Sequence, residues 1–538
     1  MATRTSSRAL AAATFAFFAA FLIVGLLVFQ DYGLSWDEIP TRQFGLMNVE
    51  HRVPDLRTLD SVRTASGPSY ERFGPFFENL LVRVEKMVQP MDIRGIFFIR
   101  HLLTFLVFFA GVICFHRLCR RRFGPGISLL ACICLATTPQ LFAHSFYNVK
   151  DISFLAMFVA TMLTLDMVLE RPHWRAMLLH VVATLVLLGA RILGGFAMVL
   201  TGVSALARRP AWRTFWLLAG YGMAVLALLP LVWPVLRIDF LHIVSDAVIG
   251  TTTNPYGRSD LFRGEAIPAT LLPWDYVPTW ILITTPLVIT ALFLVGCASS
   301  LARIARQPRR YLVSDQRDAI VLAWFFLPVL GCVVLKPIMY DGWRHLYFVY
   351  PALVYLAATG MEAIASYVNE MAGESRTRAV PTILTIALFL CLAPSLVFMV
   401  RNHPYEQLYF NRFAGRDMQE IKQRFELDYW GLSYRKSLEY IVRSDTGSHI
   451  LVYTSTYPGR INTAMLRPRD RARITLVRTP EEAEYFVTDY RFHPEPYPFQ
   501  WEVFAVHVGN ASINSVFGSN LLQQRLHAAG TPTVEHRP

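Results

Sequence analysis

The chain is short of charge and lacks the signatures that soluble enzymes carry. Asp, Glu, Lys and Arg make up 17% of its 538 residues, against about 25% in ordinary soluble domains, which argues against a conventional water-soluble fold. It has no Walker A loop, no nucleotide-sugar Asp-x-Asp, no Gly-x-Ser-x-Gly elbow and no His-Glu-x-x-His. The familiar nucleotide, serine-hydrolase and zinc-protease sites are therefore missing. Cysteine is sparse. Of the seven, six lie in apolar runs and Cys119 sits in a basic cluster. None falls in the long polar loops or the C-terminal region, where an extracytoplasmic disulfide would form. Cys132-x-Cys134 has the wrong spacing for zinc, and the residues read as small core side chains. No internal repeat of the transporter kind is visible.

What the chain has instead is long apolar runs. Hydrophobic residues make up 54% and mean hydropathy is +0.37. A run of about 20 such residues crosses the hydrocarbon layer as a helix, because backbone polar groups must be satisfied internally there. The first run, Ala9 to Gln30, follows Arg4 and Arg8. It is too long for a signal peptide and lacks a cleavage site before Asp31, so it reads as an uncleaved helix with a cytoplasmic N-terminus. Further apolar helices are expected near 95–116, 126–143, 152–169, 177–190, 192–207, 213–235, 278–300, 319–335, 343–366 and 380–400. That makes about eleven spans, with 177–207 interrupted by Arg191.

Alternating sides puts the basic clusters at 117–122, 171–175, 208–213 and 303–310 together in the cytoplasm, the positive-inside pattern. The net charge of +12 is then explained by loops, without nucleic acid as a partner. The loops 31–94, 144–151, 237–277 and 336–344 lie outside, as does the tail after 401.

In the first outer loop, Phe73, Phe76, Phe77, Leu80, Leu81 and Val84 recur at helical spacing. They predict an amphipathic helix over 70–88, on the membrane face or packed on the bundle, with Glu85 and Lys86 toward solvent. In the tail, 450–453, 474–477, 485–488 and 503–508 read as short strands, with a helix-like turn at 480–483 and a disordered end after 523. The expected fold is a polytopic α-helical membrane protein. A transmembrane domain covers 1–400, with first outer loop 31–94, and a small extracytoplasmic α/β domain covers 401–538.

Charged residues near membrane depth are costly and usually functional, and here they collect on the outer side. Trp36-Asp37-Glu38 follows the first helix, Lys150-Asp151 closes the second outer loop, Arg191 breaks an apolar stretch, and Arg344-His345 follows Lys336 and Asp341. A carboxylate can deprotonate an acceptor hydroxyl or amine. Arg and Lys can neutralise a phosphate leaving group. Plainer readings stand beside these. Asp37 pairs with Arg94 or Arg191, Arg191 snorkels to headgroups, and His345 only packs. Trp274, Tyr276, Trp280, Trp343, Tyr347 and Tyr350 then form an interfacial belt.

The first-loop Asp37-Glu38, the helix count and the outer Arg191 resemble the GT-C glycosyltransferases. Within them the chain is similar to the protein O-mannosyltransferase and aminoarabinose-transferase group, family 39 type, and to its bacterial members. The stretches 142–151, 273–280, 343–351 and 425–434 carry the likeness, which covers about 1–435. The resemblance implies that Asp37 is the catalytic base and Glu38 its accessory. It implies Asp151 as an acid near the donor and Arg191 on the lipid phosphate, with Lys150, Arg344 and His345 in the donor-binding group. The chain departs from the yeast-type enzymes in having no room for a MIR domain, which argues against protein O-mannosylation. The tail is not expected to be catalytic.

The function so implied is transfer of a monosaccharide from a polyprenyl-phosphate donor to a lipid, glycan or protein acceptor. The place is the extracytoplasmic face of a bacterial inner membrane. No cofactor is indicated; no ligand spacing points to a metal, and a divalent cation stays open. The rivals are a transporter or flippase of lipid-linked sugars and a non-catalytic membrane subunit.

Overall fold

The computed structural model describes residues 2–50, 74–253, 257–372 and 380–528. Among them, eight helices are long and apolar enough to cross a membrane, or nine if the bent pair Pro125–Ala136 and Pro139–Tyr147 is one span. The chain is thus a multi-pass, largely α-helical protein. The bend of 63° falls where Pro139 opens a new helix, since proline has no N–H to continue the preceding one. The two remaining apolar segments, Trp174–Ala190 and Ile192–Arg208, are shorter. Arg191 between them is extended, at φ −156° and ψ 142°, and that break divides what would otherwise be one long apolar run.

Helix Leu287–Arg306 lies backbone to backbone against Tyr350–Ala372. A Cβ added to Gly296 would sit 1.7 Å from the Leu356 carbonyl oxygen, and one on Gly360 would sit 2.1 Å from that of Leu292. Small residues permit such approach between membrane helices. The contact anchors the helix that follows Arg344.

The helix predicted in the first outer loop runs Phe76–Val88; residues 51–73 of that loop lie outside the described residues. It packs on the bundle, with Phe77, Leu81 and Val82 buried. Glu85 is not on a solvated face. It is buried and takes Arg100 at 2.8 Å and Arg42 at 2.8 Å. Arg100, fully buried, also holds Glu78 at 2.5 Å. Glu85 follows Leu81 at i+4 and Phe77 at i+8, which puts it on the buried stripe, and the buried arginine of a neighbouring helix supplies the charge it needs there. Lys86 does remain exposed, pairing with Glu50 at 3.0 Å.

The tail forms a five-stranded sheet in the order β4-β3-β5-β7-β6. Its strands are β3 Ile450–Thr454, β4 Ile474–Leu476, β5 Tyr485–Thr488, β6 Glu502–Val508 and β7 Ala511–Gly518. β3 runs parallel to β4 and β5, and β7 antiparallel to β5 and β6. Helix Tyr434–Ser444 covers one face through Leu438 and Ile441. β7 was not read from the sequence; its signal is the Gly509-Asn510 turn, with Gly509 at φ +58°, the left-handed backbone a two-residue hairpin needs. Helix Asn520–Ala528 continues past the point where disorder was expected. Residues Tyr405 to Leu432 join the core of the helical bundle, and helix Met418–Arg424 also meets the sheet, Lys422 Nζ donating to the Ser512 carbonyl at 2.8 Å. A second, two-stranded hairpin, β1 Ser259–Phe262 and β2 Glu265–Pro268, stands in the loop before Tyr276.

Arg100→Met should cost about 3–5 kcal/mol, because it leaves Glu78 and Glu85 buried without their shared partner. A thermal melt in detergent, with limited proteolysis of the Phe76–Val88 region, checks this. An unchanged melt and cleavage pattern would contradict it.

Candidate active site

The outer charges read from the sequence converge, with one substitution of partners. Asp37 meets neither Arg94 nor Arg191. Its Oδ2 lies 3.0 Å from Lys150 Nζ and 3.5 Å from Arg344 Nη1, while Arg94 lies over the Phe98 ring. Arg191 does not snorkel. It is 8% exposed and bound to Asp151. Asp151 sits in the first turn of Val149–Glu170, capped by Asn148, whose Oδ1 accepts from the Asp151 N–H at 3.1 Å. The positive end of that helix favours the carboxylate. Asn148 Nδ2 donates to Asp151 Oδ2 at 2.8 Å, and Arg344 lies 3.3 Å from the same oxygen.

Arg344 is therefore the hub. It is buried, reaches Asp37, Asp151 and Asp341, and its guanidinium lies 4.6 Å above the Trp430 ring. Asp341, at φ +56°, precedes Gly342 at φ +73°. This left-handed turn aims the Asp341 carboxylate back at Arg344, 3.2 Å away. Its other oxygen takes Arg491 at 2.6 Å.

Burial works against the charge of Asp37, but Lys150 and then Arg344 outweigh it and hold the carboxyl below its ordinary value of 3.8. The Asp37 side chain is 22% exposed and that of Glu38 only 1%. Glu38 is turned inward. Its Oε2 accepts from the Ser35 N–H at 2.8 Å and from Ser35 Oγ at 3.0 Å, and His101 lies 2.9 Å from Oε1. Ser35-x-x-Glu38 has the spacing of a capping box, and the first of these bonds is its returning half. His345 stays beside the group without a hydrogen bond. Its Nδ1 is buried and unpartnered, and its ring meets Tyr340 at 4.9 Å. Lys336 is exposed at the end of Arg317–Leu335.

Several participants were missed. Arg491, from the tail, joins through Asp341, and its guanidinium lies 4.9 Å over Trp36. Nothing periodic marks it in the sequence. Of the six aromatics expected in a belt, only Trp274 is exposed, at 61%; Tyr276, Trp280, Trp343, Tyr347 and Tyr350 are buried. Trp343 Nε1 donates to Thr284 Oγ1 at 3.0 Å, and Tyr350 Oη accepts from Thr138 Oγ1 at 3.0 Å, so these polar tips have partners inside the bundle and no need of an interface.

The tail also fixes the loop that carries Asp37. Asn462 grips the Leu34 peptide from both sides, Nδ2 donating to its carbonyl at 2.9 Å and Oδ1 accepting from its N–H at 2.8 Å. A Cβ on Gly33 would come within 2.3 Å of the Leu432 carbonyl oxygen. Tyr32 stacks on Phe146 at 4.6 Å and donates to Glu406 at 3.1 Å.

Beside Lys150 is a cavity of about 20 Å³, lined by Thr41, Glu78 and Ser153 among others, room for about one water. The larger space is elsewhere. A cleft of about 1140 Å³ opens between the β1–β2 hairpin and the tail. Among the described residues, no group of three or more His, Cys, Asp or Glu is arranged to hold a metal ion.

No family model matches the chain, and no curated protein matches it. Among solved structures, ArnT from Cupriavidus metallidurans bound to undecaprenyl phosphate aligns at TM-score 0.48 and 13% identity, over 94% of this chain and 99% of that one. The Archaeoglobus fulgidus oligosaccharyltransferase in the apo form aligns at 0.46 and 11%, over 88% and 70%. Arabinofuranosyltransferase AftD from Mycobacteria aligns at 0.43 and 12%, over 96% of this chain and 43% of that one.

Behind Arg491 is a group of strained carboxyls. Burial, and then the neighbouring Asp341, pushes Asp260 up to about 7. Burial pushes Glu426 up to about 8, against the pull of Arg491. Unfolded, both titrate near 4, so the folded state holds extra protons. The stability this confers is complete below about pH 4 and is lost as pH rises through 7 to 8. The melting temperature should accordingly fall between pH 6 and pH 9, and fall less in Glu426→Gln. A melt that rises over that interval would contradict the assignment.

Proposed function

We propose that the chain is a GT-C-type glycosyltransferase that moves a monosaccharide from a polyprenyl phosphate to an acceptor on the outer face of a bacterial inner membrane. The observation that carries the reading is the rim carboxylate of Asp37, 3.0 Å from Lys150 and 3.5 Å from Arg344, in one cluster with Asp151 and Arg191. An ionised base and a set of cations stand side by side, as sugar transfer from a phosphate requires. The division into a transmembrane part, 1–400, and an outer part, 401–538, belongs to the same proposal.

In the proposed step the acceptor oxygen attacks the anomeric carbon and its proton passes to Asp37. The bond from that carbon to the phosphate oxygen breaks, and the lipid phosphate leaves with the electron pair. Lys150, Arg191 and Arg344 then exchange part of their hold on carboxylates for the developing phosphate charge. A single displacement inverts the anomeric centre. Glu38, enclosed by Ser35 and His101, positions the loop and does not reach the acceptor.

The charged side chains of the spanning helices support an enzyme over a transporter. Among the described residues they form three groups, one around Arg344, one where Arg100 holds Glu78 and Glu85, and one opposite the site. The group opposite the site is closed by Arg121 and Arg317 on Asp166, Arg122 on Glu362 and Arg303 on Asp318. A permeation path would leave charge without protein partners along its length, whereas Arg100 is closed by Glu78 and Glu85.

Asp37→Asn should lower transfer by about 10²–10⁴-fold, the usual weight of a general base, while the melting temperature holds. Full restoration of the glycan product in a deletion strain carrying that variant would refute the assignment. Because Asp37 is held below 3.8, it stays ionised until pH falls through that lowered value, and kcat/KM should show no acid limb from it near neutrality. Lys150→Met removes a lowering charge and leaves burial, so the acid limb should move up. A profile that does not move would count against the Asp37–Lys150 coupling.

A further inference from the structure

The large cleft lies apart from the Asp37 cluster but not out of its reach. Its walls are the β1–β2 hairpin, helix Met418–Arg424 and the segment leading from β5 to β6. The hairpin is fixed to the helix end, where the Gly264 N–H donates to the Arg424 carbonyl at 3.0 Å and Phe262 bridges Phe425. The cleft is therefore built on anchored elements.

Its lining combines flat rings, Tyr490, Phe492, Tyr497 and Phe499, with amides and acids such as Gln423 and Glu502. Phe492 and Phe499 are 44% and 41% exposed. The rings are held rather than loose. Tyr497 and Phe499 stack with centroids 5.9 Å apart, and Phe486 backs Phe499 at 4.8 Å. The cleft's inner end meets the site. Arg491 and Arg258 each lie over both Phe492 and Trp36, at 4.8 to 5.1 Å, and Trp36 adjoins Asp37 in the chain.

We propose that this cleft binds the acceptor and that the acceptor is an oligosaccharide. The inference rests on Asp37 being the transfer base and names the substrate class of that reaction. The C–H face of a sugar ring is apolar and packs on an aromatic ring, while its hydroxyls pair with amides and carboxylates. At about 1140 Å³ the cleft exceeds the ~300–1,000 Å³ that suits one drug-sized molecule, and so takes several sugar units. A lipid chain would call for a continuous apolar lining. A peptide strand would call for an open, regular sheet edge, but the edge strand β6 is irregular at Glu502/Phe504 and Val506/His507, a device that blunts edge pairing. The terminal sugar of the bound chain passes Phe492 and Trp36 to bring one hydroxyl to Asp37. That hydroxyl oxygen forms the new glycosidic bond, its proton goes to Asp37, and the lipid phosphate departs as above.

The test compares a deletion strain with the same strain carrying the full chain, Asp37→Asn, or Gln423→Ala/Phe499→Ala. Mass spectrometry is run separately on released envelope oligosaccharides, protein and lipid extracts. The deletion should lack one sugar unit in an oligosaccharide fraction, and the intact chain should restore it. The cleft variant should restore roughly tenfold less than the intact chain, as when an aromatic anchor and its polar neighbour are truncated, at equal protein level and melting temperature. Gln423→Leu alone, at an exposed position, serves if the double variant does not fold, and should also restore less. Loss of the sugar from peptides, or from a lipid bearing no glycan, overturns the proposal. So does full restoration by the folded cleft variants while Asp37→Asn restores nothing, which leaves the base assignment standing. Full restoration by Asp37→Asn removes that assignment, and the proposal with it.

Discussion

Arg344 sits at the outer end of a membrane helix with 3% of its surface exposed, and a guanidinium cannot be neutralised by losing its proton. Its burial has to be matched by carboxylates, and three of them meet it: Asp37 from the first loop, Asp151 from Val149–Glu170 and Asp341 from the turn just before it. Each of those carboxylates then has a second cation, namely Lys150, Arg191 and Arg491. The cost of an unpaired buried charge thus ties five distant parts of the chain into one cluster. The close contact of Gly296 and Gly360 holds the helix that bears the hub, so packing and electrostatics fix the same point.

The first loop is determined from several sides at once. Tyr32 is stacked and hydrogen-bonded, Gly33 faces the Leu432 carbonyl at a distance no side chain permits, Leu34 is gripped by Asn462, and Ser35 is closed by Glu38. Two residues later the Asp37 side chain reaches the rim. A base must be held within a fraction of an ångström of its working place. Here the tail supplies much of the hold on the loop that carries Asp37.

Much of this was legible in the chain. Length and polarity alone mark the spanning runs, and alternation marks β3, β4, β5 and β6 to within a residue or two. The grouping of Asp37, Lys150, Asp151, Arg191 and Arg344 at one end followed from counting spans. What was not legible depends on partners distant in sequence. Glu85 looks solvated until Arg100 is placed beside it, and five aromatics look interfacial until the assembled bundle buries them. Arg491 lies 150 residues from Asp341 in a stretch with no periodicity, so only the assembled fold brings them together. Glu38 is a different case. Its spacing from Ser35 was visible, and that local geometry, together with His101 at 2.9 Å, gave it an inward role.

The two ends of the bundle meet one physical requirement in different ways. At the end opposite the site, Arg121 and Arg317 share Asp166 and Glu170, and Arg122 and Arg303 share Asp318 and Glu362, so each pair of cations is closed by a pair of acids. The site end is arranged as a chain. Lys150, Asp37, Arg344, Asp341 and Arg491 follow one another as alternating charges, and Asp151 with Arg191 branches from Arg344. A chain of this kind lets a phosphate enter by exchange, because each cation that releases one carboxylate keeps the carboxylate beside another cation. Arg344 can give up Asp37 while Lys150 still holds it, and Asp37 then faces the acceptor with its charge intact. The opposite cluster has no such open run, since each arginine there faces two acids that a second arginine also faces. Under the proposed transfer, this difference in connectivity, more than the number of charges, is what suits the Arg344 end to exchange.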